Sequence, residues 1–338
     1  MSEVLVRVKR GGHVETQHRG HIVVTNAGGK IIYKVGDPDF LFCLRSCAKP
    51  LQALPVIETG AADHFSFTEE EIAVFCGSLN GQNYHVKVVE SILSKIGLNA
   101  NHLKCGVHQP SHRWTAKKLS SEGKAPLPIH NTCSGKHAAM LALCVFNAWQ
   151  IENYCRMEHP VQQMIIQEIA QMTEVPKDNI GVGIDGCGVP VFFLPLKQLA
   201  LAYAKLTEPY SSKEQSKDSP LARMMKAVLN HPEMIAGDER ICTDIMRTLR
   251  NRVFAKTGAD GGYALSIMDK GLGVGIKVED GNSRALHSVV IETLNQLGLL
   301  HEKERKNLSR YHHPVILNYQ REEVGVIEPV FRLEKVRD

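Results

Sequence analysis

Ser46 and Lys49 are the first residues in the chain whose types and spacing could do chemistry together. Residues three positions apart on a helix share a face, so a lysine amine can reach a serine hydroxyl. The lysine could remove the hydroxyl proton once desolvation or a second cation lowers its pKa. The spacing alone is weak evidence for a catalytic pair, because Ser121 and Lys124 have the same spacing in a polar stretch with no candidate site around it.

Two later motifs give this pair its context. Ser78 opens Ser-Leu-Asn, and Lys256 opens Lys-Thr-Gly just before a pair of strand-like runs. Serine β-lactamases and penicillin-binding proteins carry Ser-x-x-Lys, Ser-x-Asn and Lys-Thr-Gly in this order. Lys256 could be the cation that lowers the pKa of Lys49, or it could activate Ser78 as a second Ser/Lys pair. Taken singly, Ser78 is typical of a turn and Lys256 of a surface lysine.

The position of Ser46 favours it as a nucleophile. It lies between a strand-like run at 40–44 and a helical pattern over 46–60. Free backbone N–H groups at the start of a helix can stabilise an oxyanion.

A second group of candidate residues surrounds two cysteines, Cys133 in 131–137 and Cys187 in 183–190. Glycines and small residues there would let the backbone approach a bound group closely. With His137 the thiols could form a zinc site, although the spacing matches no standard zinc-ribbon pattern. The residues alone favour two buried thiols, and a cysteine nucleophile is a third interpretation.

The order of elements predicts the fold that would hold these residues. Runs at 4–8, 22–25, 31–34, 263–268 and 273–278 are typical of strands. Helical periodicity occurs at 46–60, 84–96, 136–148, 158–172, 194–206, 219–230 and 238–252, and for the last time at 284–299. This order predicts an α+β fold, with one antiparallel β-sheet built from N- and C-terminal strands and flanked by helices. We expect a single domain over 1–338, because the nearest candidate boundary, 209–220, has only loop length.

Composition favours a small-molecule substrate over a macromolecular partner. The formal net charge is +4 with scattered basic residues, which argues against nucleic acid and anionic membrane surfaces. No apolar stretch approaches the roughly 18 residues of a membrane span, and no leader pattern opens the sequence, so we expect a cytoplasmic protein. The nine cysteines are irregularly spaced, as expected of reduced thiols.

Over nearly its whole length the sequence resembles a known family, the asparaginase II or rhizobial-type (class 3) L-asparaginases. The resemblance lies in a highly specific set of segments, 18–20, 44–52, 76–78, 105–108, 131–137, 185–188 and 256–261. It implies a serine β-lactamase-like fold, a homodimer, and hydrolysis of L-asparagine to L-aspartate and ammonia.

The resemblance also implies roles for particular residues. Ser46 with Lys49 would form one catalytic dyad, and Ser78 with Lys256 a second. A zinc ion would be bound by Cys133, Lys136 and Cys187, with the lysine in the place that the residues alone would give to His137. The residues expected to line the substrate pocket are Arg45, Asn131, His137 and Asp185.

One departure from the family pattern follows the second serine. The family often carries His and then Glu there, whereas this chain has Leu79 and Gln82. The difference bears on substrate affinity or rate more than on reaction type. Alternative functions are a glutaminase or β-lactam hydrolase on the same scaffold, and a non-catalytic sensor that binds an amino acid.

Overall fold

The computed structural model describes residues 1–211 and 219–336. The chain forms two compact units, each assembled from separate stretches of sequence. The sheet unit comprises Met1–Cys47, Leu194–Ser211 and Asp244–Asp338, and the helical unit comprises Ala48–Phe193 and Ser212–Thr243. The single domain over 1–338 stays a prediction. Of the stretch weighed as a boundary, 212–218 lies outside the described residues.

The strands and helices are numbered in chain order. The strands are β1 Glu3–Arg10, β2 His13–Asn26, β3 Ile31–Val35, β4 Leu41–Cys43, β5 Gly181–Ile184, β6 Pro190–Pro195, β7 Val253–Thr257, β8 Gly262–Ile267, β9 Leu272–Val278, β10 Val315–Leu317, β11 Glu323–Pro329 and β12 Glu334–Lys335. The α-helices are α1 Lys49–Glu58, α2 Ala61–His64, α3 Glu69–Phe75, α4 Asn83–Lys95, α5 Arg113–Ser121, α6 Ser134–Phe146, α7 Pro160–Thr173, α8 Leu196–Lys205, α9 Glu208–Ser211, α10 Pro220–Asn230, α11 Pro232–Ala236, α12 Ile241–Leu249, α13 Ser283–Gln296 and α14 Glu302–His312.

The sheet unit is built on an antiparallel sheet that has nine strands among the described residues. β2 spans 14 residues, so it is long enough to pair with β1 through its first half and with β3 through its second. Its other edge pairs with β9, and the sheet continues through β8 to β7. The N- and C-terminal strands therefore share one sheet, which confirms the predicted α+β class.

Helix α8 packs closely on β9 because that strand carries glycine where the two meet. A Cβ at Gly273 would lie 2.0 Å from the carbonyl oxygen of Ala200, and one at Gly275 would lie 3.0 Å from that of Leu196. Any side chain at Gly273 would force the helix away from the sheet.

The helical unit is arranged around α1, which packs against α3, α6, α7 and α10. Every residue of α1 from Lys49 to Ile57 is buried. Helix α3 begins with the capping box expected of a Thr-x-x-Glu sequence, in which the Thr68 N–H donates to Glu71 Oε2 at 2.8 Å. The burial of α1 places Lys49, its first residue, inside the unit.

The C-terminal region differs from the sequence prediction in two places. Lys256 lies inside β7, one strand earlier than the strand pair that the pattern indicated. The helical pattern at 284–299 does not end the fold, because α14, β10, β11 and β12 follow, and β11 pairs with β1. Most side chains of β11 are only half-buried, and Gly325 interrupts its alternation, so its period-2 signal is weak.

Glu168 on α7 is a buried carboxyl that faces Glu58 at the end of α1. Burial and the neighbouring carboxyl raise the pKa of Glu168 from 4.5 to about 8. The native chain therefore binds this proton more tightly than the unfolded chain does. Its contribution to stability is fully present below pH 4.5 and is lost as the pH rises through about 8.

We expect Glu168→Gln to flatten the decline in the free energy of unfolding between about pH 5 and pH 8, because an amide has no proton to lose there. Urea unfolding at a series of pH values measures this decline. Glu90→Gln, on the exposed side of α4, is the matched control and should retain it. A decline in Glu168→Gln as steep as that of the unaltered chain would contradict the assignment.

Candidate active site and metal centre

Lys49 occupies a buried position from which its amine reaches three acceptors. The Nζ atom lies 2.7 Å from the carbonyl oxygen of Gly77, 3.0 Å from that of Thr132 and 3.2 Å from the hydroxyl of Ser78. Only 1% of the residue is exposed. Burial lowers the pKa of Lys49, which makes the neutral amine more accessible than in a surface lysine. A neutral amine at this distance can accept the proton of a hydroxyl.

Ser78 is held by its backbone as well as by Lys49. Its N–H donates to the carbonyl oxygen of Ile235 at 2.7 Å, beyond the end of α3. Gly77 makes this path possible, since a Cβ there would lie 2.4 Å from the carbonyl oxygen of Met234. The hydroxyl of Ser78 is thereby fixed beside the amine, and the residue is 5% exposed.

Four polar side chains converge next to Lys49. The ligand atoms of Cys133, Asp185 and Cys187 all lie within 4.8 Å of one another. The amine of Lys136 lies 3.3 Å from the Cys187 sulfur and 3.8 Å from Asp185 Oδ2. Cys133 and Lys136 come from the start of α6, and Asp185 and Cys187 come from the turn after β5.

The charges in this cluster are coupled. A hydrogen bond from Cys187, together with the positive charges of Lys49 and Lys136, holds the pKa of Cys133 well below the ordinary thiol range. Burial disfavours the charged form of Lys136, but the two cysteines and Asp185 outweigh it and raise the pKa of that amine. The cluster therefore favours a thiolate at Cys133 beside the ammonium group of Lys136.

The donor set suits a zinc ion. Two thiolates, a carboxylate and a nitrogen are ligand types that zinc accepts in four-coordinate sites. The three ligands implied by the resemblance, Cys133, Lys136 and Cys187, are adjacent in the structure. Asp185, expected to line the substrate pocket, lies among them as a further ligand-type group.

His137 and Asn131 make other contacts within the helical unit. The fully buried His137 ring has Nδ1 2.6 Å from the Tyr154 hydroxyl, which in turn accepts the Lys104 N–H at 2.9 Å. Burial holds the pKa of His137 well below its ordinary value, so the ring is neutral. Tyr154 carries no sequence signal that would have identified it. The amide of Asn131 donates to the Cys105 carbonyl oxygen at 2.9 Å and fixes the loop before α6.

The sheet unit carries Ser46 on a one-turn 3-10 helix, Arg45–Ala48. The next residue, Cys47, has its sulfur 3.6 Å from the carbonyl oxygen of Lys256, 209 positions away. Its own carbonyl oxygen accepts the Tyr203 hydroxyl at 2.9 Å. Fold topology therefore brings the turn of Ser46 against the strand of Lys256. The Lys256 amine is buried and donates to the Thr257 carbonyl oxygen at 3.1 Å.

Arg45 adopts a left-handed backbone conformation immediately before Ser46, with φ 43°. Its guanidinium forms an ion pair with Asp260, whose carbonyl oxygen accepts the Lys277 amine. A non-glycine residue in this region is strained, so the surrounding contacts must hold it there.

The comparison with known families decides the affiliation. The L-asparaginase II family model matches residues 6–329 of the sequence. The chain belongs to this family. Membership supports an amidohydrolase, asparaginase-like function and a small-molecule substrate.

Solved structures similar to this L-asparaginase II family member include two from bacteria. A β-lactamase from Mycobacterium bovis is 14% identical, with 82% of this chain and 94% of that chain covered and a TM-score of 0.42. A protein from Bacteroides dorei named as a candidate β-lactamase is 10% identical, with 82% and 93% covered and a TM-score of 0.42. No curated protein matches the sequence. In the described part of the chain, no helix has the length and apolar character needed to cross a membrane.

The hydrogen bonds of this family member pair Lys49 with Ser78, a contact that sequence spacing did not indicate. The dyads of Ser46 with Lys49 and of Ser78 with Lys256 stay predictions. The pocket roles expected from the resemblance also stay predictions, for Arg45, Asn131, His137 and Asp185. At the two positions that depart from the family pattern, Leu79 is buried and Gln82 hydrogen-bonds to Asp238.

We expect Arg45→Gly to be more stable than Arg45→Ala by about 1 kcal/mol, because only glycine adopts a left-handed conformation without strain. Both variants lose the ion pair with Asp260, so the difference between their free energies of unfolding reports the cost of the left-handed backbone conformation. The matched control is Lys87, which is exposed within α4. There the Lys87→Ala variant should be more stable than Lys87→Gly by a similar amount. Chemical denaturation measures both pairs, and an alanine as stable as glycine at position 45 would contradict the prediction.

Proposed function

We propose that the protein hydrolyses the side-chain amide of L-asparagine, giving L-aspartate and ammonia through an acyl-enzyme on a serine. The observation that carries the proposal is the buried Lys49 amine, 3.2 Å from the Ser78 hydroxyl and with a lowered pKa. Family membership supports amide hydrolysis, and the Ser-x-x-Lys, Ser-x-Asn and Lys-Thr-Gly motifs support a serine nucleophile. The cytoplasmic location and the homodimer stay predictions.

In the proposed reaction Ser46 is the nucleophile and Lys49 its base. Transfer of the Ser46 proton to Lys49 lets Oγ bond to the amide carbon of asparagine. The C–N bond then breaks, and the proton on Lys49 goes to the departing nitrogen, which leaves as ammonia. A water molecule then gives a proton to Lys49 and its oxygen bonds to the ester carbon. The bond to Ser46 Oγ breaks, and the proton on Lys49 returns to that oxygen. Ser78, bonded to the Lys49 amine, orients that amine, and Lys256 contributes positive charge.

A zinc ion held by Cys133, Lys136 and Cys187, with Asp185 beside them, belongs to this proposal. Bound there, zinc would supply a fixed positive charge for the α-carboxylate or a Lewis-acid contact for the α-amine of the substrate. The side chains of the chain would still perform both acyl-transfer steps. We therefore expect zinc to act mainly on substrate binding.

We expect Ser46→Ala and Lys49→Ala each to lower kcat for asparagine by at least about 10³-fold, and the double variant to be little worse, because members of one catalytic unit are not additive. Ammonia release from asparagine, glutamine and other amides, with nitrocefin cleavage in parallel, measures this. Ser121 and Lys124 have the same spacing but are exposed, so Ser121→Ala and Lys124→Ala are the matched controls and should retain full activity.

Three outcomes would overturn parts of this proposal. Wild-type turnover in Ser46→Ala would remove Ser46 as the nucleophile. Faster hydrolysis of glutamine or nitrocefin than of asparagine would change the substrate. Calorimetric binding of asparagine without ammonia release from any amide would favour an amino-acid sensor.

For zinc, we expect about one ion per chain in protein purified without chelator, as a single four-coordinate site requires. Cys187→Ser should lower the zinc content and raise KM while retaining turnover at saturating substrate, because the serines and lysines remain. Elemental analysis and steady-state kinetics on the same samples test this. Cys242→Ser changes a buried thiol outside the cluster and should alter neither quantity. Absence of metal, with unchanged KM in Cys187→Ser, would indicate two core thiols.

A further inference from the structure

The side chain of Gln82 joins two segments of the helical unit near Ser78. Its Oε1 atom accepts from the Asp238 N–H at 2.9 Å, from Asn80 Nδ2 at 2.8 Å and from the Tyr84 hydroxyl at 2.8 Å. Its Nε2 atom donates to Asp238 Oδ2 at 3.0 Å. The side-chain amide of Gln82 thus accepts through its oxygen and donates through its nitrogen at the same time.

The two segments are also in tight backbone contact. Gly237 has φ 90°, and a Cβ there would lie 2.1 Å from the side-chain nitrogen of Asn80. Only glycine leaves room for the amide of Asn80 to lie against this backbone. The Asn80 side chain is therefore used inside the protein, where its Oδ1 also accepts the Gln82 N–H at 3.2 Å.

These contacts clamp the segment 78–82 at both ends. At one end, the Ser78 N–H donates to the Ile235 carbonyl oxygen at 2.7 Å. At the other, Gln82 bonds to Asp238, three residues after Ile235. A segment held at both ends against one partner has little freedom to shift, so the Ser78 hydroxyl stays 3.2 Å from the Lys49 amine.

We propose that Gln82 and Asp238 are positioning residues that keep Ser78 aligned with Lys49. The expected effect of these residues on the rate of hydrolysis rests on the proposed function. The pairing of Gln82 with Asp238 rests only on their hydrogen bonds. Neither residue belongs to the proposed catalytic or zinc-binding sets, so changing them should alter the placement of Ser78 without removing a reacting group.

The test uses Gln82→Glu, Asp238→Asn and the double variant, all of nearly the same shape as the original side chains. Gln82→Glu replaces the amide nitrogen that donates to Asp238 by a carboxylate oxygen, so two like charges face each other. Asp238→Asn keeps an oxygen that can accept from Gln82. In the double variant the hydrogen bond is restored in reverse, with Asn at 238 donating to Glu at 82.

At about pH 9, where both carboxyls of Gln82→Glu are ionised, we expect kcat for asparagine to fall about tenfold, with KM changed by less than about twofold. Asp238→Asn and the double variant should stay within about threefold of the wild type. His85 also faces Asp238, but burial lowers its pKa to about 4, so it is neutral under these conditions. Recovery of kcat in the double variant would show that Gln82→Glu disturbs the pairing with Asp238 and does not disrupt the fold in general.

Thermal unfolding of the same four proteins provides a readout independent of activity. We expect Gln82→Glu to unfold about 2 °C or more below the wild type and the double variant to recover most of the loss. No recovery would overturn the pairing of 82 with 238. Recovery of stability with an unchanged kcat in Gln82→Glu would overturn the positioning role. A wild type that releases no ammonia would refute the proposed function, and the unfolding data would still decide the pairing.

Discussion

Burial of the Lys49 amine is the constraint around which the helical unit is organised. An amine out of contact with water is costly unless its donors are satisfied. Here the acceptors are the carbonyl oxygens of Gly77 and Thr132 and the hydroxyl of Ser78. They come from the loop after α3 and the loop before α6, so both loops must converge on the start of α1. Helix α1 packs against both of these helices.

Two buried lysines in this unit have pKa values shifted in opposite directions, and the difference assigns them different chemistry. Lys49 is bonded to neutral oxygens, so burial dominates and lowers its pKa. Lys136 lies next to Cys133, Cys187 and Asp185, whose negative charge outweighs the same burial and raises its pKa. The first is suited to accept a proton. The second serves as a counter-ion to the negative charge around it.

Sequence patterns predicted what depends on local periodicity and on motifs. They identified the strands around Val4–Val8 and Ile22–Thr25, the helix that starts near Lys49 and the α+β class. They missed β11, whose half-buried edge position weakens its alternation. Spacing also could not reveal the contact of Lys49 with Ser78, 29 positions away, because that contact arises from the packing of α1 against α3 and α6. The pocket role that the resemblance implies for Asp185 stays a prediction, and no sequence pattern shows that its turn lies beside Cys133 and Lys136.

The sheet unit stabilises a strained turn that begins at Arg45. Arg45 is left-handed, and the Cys47 N–H in the turn after it donates to the Leu44 carbonyl oxygen at 2.9 Å. Tyr203 and Asp260, from distant parts of the chain, add side-chain contacts to it. Since the turn is held by contacts from β7, α8 and the loop after β7, the conformation around Ser46 depends on the completed sheet. The four-residue motif alone does not fix the backbone around Ser46.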